Sequence, residues 1–164
     1  MSPYRGISLA SFFGCAPAID HNRSHDSLVY KVLRNQVTPK LLFDFICNPI
    51  SQTGGRADFA PYGLRKIEAS LIRDGYRRED VVVAHPEYIE RFIGPETEVV
   101  GTYEMDPLGM GPVTMTFTYG RKQTSYDEFY NRELHLRINR AKERTGSKAK
   151  VVAGASGTWQ YNYD

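Results

Sequence analysis

From Pro61 onward the chain alternates helix-like and strand-like segments, and this alternation restricts the fold more than any other feature. Leu64, Ile67 and Leu71 recur at helical spacing, with Pro61 suited to a first turn and Gly75 placed where a helix-ending glycine belongs. Val81–Ala84 reads as a short β-branched strand, Pro86–Ile93 as a shorter helix broken by Gly94-Pro95, and Thr97–Tyr103 as the next strand. Ser125 and Glu128 form a capping box ahead of a long helix. In that helix Tyr130, Leu134, Ile138 and Ala141 share one face, and Gly146 closes it. Lys150–Ala153 is the last strand. Such an order predicts right-handed crossovers and an α/β fold: a three-layer, Rossmann-like or flavodoxin-like parallel sheet with helices on both faces.

Residues 1–60 contrast with this. They read as a loop-rich segment carrying short helices, one near Ser8–Phe13 and one over Leu28–Arg34 capped by Asp26 or Ser27. Lys40–Cys47 is apolar and ambiguous between helix and strand, and Pro49–Gly55 is a loop. An α/β domain usually begins with a buried strand and none precedes Tyr4-Arg5-Gly6, and the chain stops soon after its last glycine loop. The division is therefore 1–60 as the loop-rich segment and 61–164 as the sheet region, with the sheet expected to be incomplete at both ends.

The 21 basic and 19 acidic residues leave a net charge of +2, so nucleic acid is not an expected partner. Arg77–Arg78 and Arg140–Lys150 flank helix ends, where solvated termini account for them. No apolar run is long enough for a membrane span, and no secretory pattern opens the chain. Cys15 and Cys47 make neither a disulfide framework nor a metal site, and fit a reducing, cytoplasmic setting.

Two glycine-punctuated loops follow strands. Val151–Gln160 (VVAGASGTWQ) reads as a buried parallel strand delivering Gly154 and Gly157, which allow positive φ and close approach of backbone to ligand. Met105–Pro112 (MDPLGMGP) follows Thr97–Tyr103. Ligands of open α/β sheets sit outside the carboxyl ends of the strands, where such loops emerge. Asp106 is either an acceptor for a ligand or the holder of its own turn. His85 ends a strand, as a ligand-contacting group or as a plain strand-to-helix joint. His21 and His25 read as loop histidines, and His135 as a solvated helix residue. Neither a catalytic constellation nor a G-x-G-x-x-G fingerprint is present.

Tyr4-Arg5-Gly6, Ala60–Ala69 (APYGLRKIEA), the Met105–Pro112 loop and the G-x-x-G-x-W-Q ending together resemble the N-terminal region of archaeal and bacterial radical S-adenosylmethionine proteins. The subgroup resembled carries a cobalamin-binding-type domain ahead of its radical barrel, and the resemblance spans nearly the whole chain. It implies contacts to the cofactor from Asp106, Pro107, Gly109 and Gly111, and from Gly154, Ser156 and Gly157, with Tyr4, Arg5 and Gly6 beside them. The family's C-x-x-x-C-x-x-C motif and the D-x-H-x-x-G motif of histidine-ligated cobalamin domains are both absent. The resemblance thus implies cobalamin held without a protein histidine. It assigns the iron–sulfur cluster, S-adenosylmethionine and radical chemistry to the remainder of the polypeptide, making this chain a fragment whose partners are a small-molecule cofactor and that remainder. The alternative is a stand-alone, non-catalytic α/β ligand-binding or interaction module, with Tyr161 and Tyr163 on a docking edge.

Overall fold

The computed structural model describes residues 50–120 and 123–163, together with the backbone course of residues 6–11. Tyr4, Arg5, Cys15, Cys47, His21, His25, the helix expected over 28–34 and the run 40–47 lie outside the described residues. The fold is α/β. Its elements are β1 (Gly6–Ser11), β2 (Gln52–Thr53), β3 (Arg56–Ala57), α1 (Tyr62–Arg73), β4 (Val81–Ala84), a 3₁₀ helix (Pro86–Phe92) and β5 (Thr97–Tyr103). These are followed by α2 (Pro112–Phe117), α3 (Tyr126–Thr145), β6 (Lys150–Gly154) and a closing 3₁₀ helix (Thr158–Asn162).

One six-stranded sheet runs in the order β2-β3-β4-β1-β5-β6. β1 pairs in parallel with both β4 and β5, and β6 pairs in parallel with β5. β2 and β3 are antiparallel to each other, and β3 is antiparallel to β4, so the sheet is mixed rather than wholly parallel. The expected loop at 49–55 therefore contains part of a tight hairpin. Gly54 and Gly55, both with positive φ (63° and 90°), form the two-residue turn that matches the natural twist of its strands.

β1 corrects the expectation of a helical piece near Ser8–Phe13 and of a missing first strand. Gly6-Ile-Ser-Leu-Ala-Ser is rich in small residues of low strand propensity and reads locally as a loop. Backbone pairing to a neighbour on each side overrides that local preference. The loop after β6 also continues, contrary to expectation, into a turn of 3₁₀ helix. The helix expected over 86–93 is 3₁₀ in form, with His85 as its N-cap.

Alternation along β4 sends its side chains into two cores. Val82 and Ala84 join Val100, Ile89, Phe92, Leu134, Ile138 and Ala141 on the face covered by α3 and the first 3₁₀ helix. Val81 and Val83 join Leu64, Ala57 and Ile50 on the face covered by α1. All four β4 residues are buried, as a strand covered on both faces requires. Burying one such aliphatic side chain contributes about 1.5–3 kcal/mol. In α1 only Leu64 is fully buried, and Ile67 of the expected apolar face is largely exposed. β6 is parallel as expected but not buried: it is the outermost strand of the sheet, and Val152 is 54% exposed. Among the described residues no helix is long and apolar enough to cross a membrane.

Candidate functional site

β5 and β6 end side by side, with Tyr103 opposite Gly154, and their two glycine loops close on each other. The Glu104 amide donates to the Gly154 carbonyl (2.9 Å), and the Gly157 amide donates to the Glu104 carbonyl (3.0 Å). Gly157 is needed for this contact. A Cβ there would lie 2.5 Å from the Met105 carbonyl oxygen and from Pro107 Cδ. The close approach expected of this glycine is therefore to the neighbouring loop. The positive φ expected of the loop's glycines falls instead on Ala155 (84°), a conformation that strains any residue with a Cβ. Gly154 is less constrained, since a Cβ would meet only the Thr102 carbonyl at 3.6 Å.

Asp106 organises the first loop. Its Oδ1 accepts from the Gly111 amide (2.9 Å) and from Gln160 Nε2 (2.5 Å), while Oδ2 accepts from the Thr114 hydroxyl. Gly111 is spared a side chain because a Cβ would sit 2.9 Å from Oδ2. Gly109, at φ 65°, makes the turn between them. Gln160, 1% exposed, completes the clamp by accepting from the Leu108 amide (2.8 Å). Both Asp106 oxygens thus serve the loop and the chain end. Above them lies a recess of about 380 Å³, bordered by Met105, Val113, Ser156, Trp159 and the Asp106–Gln160 pair. The Ser156 hydroxyl donates to Met105 Sδ (3.4 Å) on its rim.

Of the residues expected at one site, the structure joins Asp106, Pro107, Gly109, Gly111, Gly154, Ser156 and Gly157. Gly6 is not with them. It opens β1 opposite Thr97, at the amino end of the sheet, on the order of 16 Å from the loops at 3.3 Å per residue. The parallel direction of β1 separates them: the end of β1 that faces the loops is Ser11, opposite Tyr103.

A second constellation, unmarked by any motif in the sequence, lies directly beneath the loops. Glu104 is 2% exposed and bonded at both oxygens. Oε1 accepts from the Thr102 hydroxyl (2.6 Å) and lies 2.7 Å from His135 Nε2 of α3. Oε2 accepts from the Tyr161 hydroxyl (2.5 Å), which in turn accepts from Asn131 Nδ2 (3.1 Å). Burial would push the Glu104 carboxyl up, but hydrogen bonds from His135, Thr102 and Tyr161 outweigh it and hold the group below the usual carboxylate range. Burial, reinforced by the hydrogen bond to Glu104, pushes the Tyr161 phenol well above its ordinary value. An ionised carboxylate only accepts, so His135 Nε2 carries the proton and donates to it. His135 is thus oriented by Glu104 rather than merely solvated. A clue was available: Glu104 is an acidic residue placed at the exit of an apolar strand. Its partners His135 and Tyr161 stand 31 and 57 residues away, and no local pattern connects them to it.

His85 is 1% exposed, and its Nδ1 accepts from the Glu87 amide (3.2 Å). It caps the 3₁₀ helix, as the joint reading expected. Burial lowers its pKa, favouring the neutral ring. Its Nε2 has no hydrogen-bond partner among the described residues. No group of three or more His, Cys, Asp and Glu side chains that could hold a metal ion occurs among the described residues. Comparison of the chain with models of protein families, with curated proteins and with solved structures finds no match.

Proposed function

We propose that this chain is the cofactor-binding region of a radical S-adenosylmethionine iron–sulfur protein, a three-layer flavodoxin-like domain that takes a cobalamin-type cofactor over the carboxyl ends of its strands. The observation that carries this reading is the order of the parallel strands, β4-β1-β5-β6. Numbered in chain order among themselves, they run second, first, third, fourth, which is the beginning of the flavodoxin-like order. Sheets of that order bind ligands outside the strand ends at the switch point, here between β1 and β5, and the glycine loops emerge next to it.

The residues at the recess fit a large planar group in part. Met105, Val113 and Trp159 are each at least 38% exposed and supply an apolar rim, while Ser156 adds a small polar side chain. Asp106 is committed to its own loop, so its role is to shape the binding surface rather than to touch the cofactor. Neither His135 nor His85 borders the recess, so neither stands where it could ligate a metal held there. The residues present would hold a cobalamin-type group through Met105, Val113, Trp159 and Ser156, without a histidine ligand from the described residues. Such a group, when bound, supplies a cobalt centre able to carry an alkyl substituent. The cluster and S-adenosylmethionine belong, in this reading, to a barrel elsewhere in the polypeptide.

The test is to add hydroxocobalamin to the purified protein and follow its visible spectrum and co-elution. The expected result is a saturable spectral change, with binding weakened about tenfold (about 1.4 kcal/mol) by Ser156→Trp, which fills the recess without touching the core. A folded protein that leaves the spectrum unchanged and elutes free of corrin rejects the cofactor. The exposed edge of β6, with Val152 uncovered, would then favour an interaction module that pairs through its outer strand.

A further inference from the structure

A cleft of about 480 Å³ runs between α3 and β6 and shares no lining residue with the recess. Leu108, Val151 and Ala153 give it an apolar floor, and Arg132 and His135 stand together on its α3 wall. The two are three residues apart, and so neighbours on one helix face. Arg132 makes no ion pair or hydrogen bond among the described residues. His135 has its Nε2–H spent on Glu104, which leaves Nδ1 for the cleft, and its side chain is 32% exposed. Thr102, Tyr161 and Asn131 hold the supporting carboxylate in place, so the imidazole is oriented before any ligand arrives.

We propose that this cleft binds a small monocarboxylate with an apolar tail. Arg132 pairs with the carboxylate beside the His135 ring, and the tail rests on Leu108, Val151 and Ala153. Inorganic phosphate fits less well. It carries more charge, needs more donors than Arg132 offers, and has no apolar part to rest on Leu108, Val151 and Ala153.

The experiment is a nitrogen-15 NMR titration of the His135 ring with sodium butyrate, with butan-1-ol and inorganic phosphate as separate arms. The expected result is a saturable shift of the His135 ring nitrogen signals with butyrate, and no saturable response to butanol or phosphate. Arg132→Gln, at an exposed position, should raise the butyrate needed by about tenfold. An equal response to butanol, an unchanged midpoint in Arg132→Gln, or saturation by phosphate alone overturns the proposal. So does the absence of any response. Neither Arg132 nor His135 borders the recess, so this result and the hydroxocobalamin result are independent.

Discussion

At the scale of single residues, the two glycines of the last loop look equivalent in sequence and differ in space. A methyl group at Gly157 would collide with backbone of the Met105–Pro107 loop at 2.5 Å, while one at Gly154 would make ordinary contact at 3.6 Å. Backbone cannot swing aside as a side-chain tip can. Gly157→Ala should therefore destabilise the fold by roughly 1–3 kcal/mol in urea unfolding, with Gly154→Ala within about 0.5 kcal/mol of the parent. Equal effects at the two positions would show that the loops do not pack as described. Asp106 teaches the same lesson. A carboxylate beside glycines at a strand exit is equally a ligand acceptor or a loop staple until its donors are known. Here Gly111, Thr114 and Gln160 take both oxygens.

At the scale of elements, the long helix α3 was legible almost residue for residue. Ser125 accepts from the Glu128 amide at its start (3.2 Å), and Gly146 ends it with φ 68°. Leu134, Ile138 and Ala141 are buried on the expected face, with Tyr130 packed beside them. These are local rules of spacing and capping, and they operate within a few residues. Ser125→Ala should cost about 1 kcal/mol, read as a lower thermal midpoint with the helical content of the folded state unchanged. Elements whose existence depends on a distant partner were not legible. β1 needs β4 and β5, and the β2–β3 hairpin needs β4, whereas the short α2 is anchored by the Thr114–Asp106 bond.

At the scale of the whole molecule, three titratable groups, Glu104 and His85 in the interior and the half-covered Tyr161, set how stability depends on pH. Glu104 is held low in the fold, so the unfolded carboxyl takes its proton first, and the stability it contributes is lost as pH falls below about 4.3. His85 is also held low. The unfolded imidazole protonates first as pH falls through about 6.5, so stability declines there as well. Tyr161 is held high. Above about pH 10 the unfolded phenol ionises while the folded one stays neutral, and stability is lost as pH rises. Urea midpoints should thus be highest between about pH 7 and 9 and fall on both sides. Tyr161→Phe should flatten the alkaline fall and leave the decline through the imidazole range unchanged. A parallel alkaline slope in the variant would remove Tyr161 from this account.

The α/β class, the helices α1 and α3, the strands β4 and β5 to the residue, and the two glycine loops are legible in the amino-acid order alone. Those features rest on periodicity, capping and turn chemistry, which act over short stretches of chain. Only the tertiary structure decided that Gly6 opens a central strand and stands at the far end of the sheet from the loops. It alone made β6 an exposed edge, and it alone brought Glu104, His135 and Tyr161 within hydrogen-bond distance. The physical reason is the same in each case. Strand pairing and a buried carboxylate's need for donors are met by residues far apart in the chain, and no local preference encodes which distant residues will meet them.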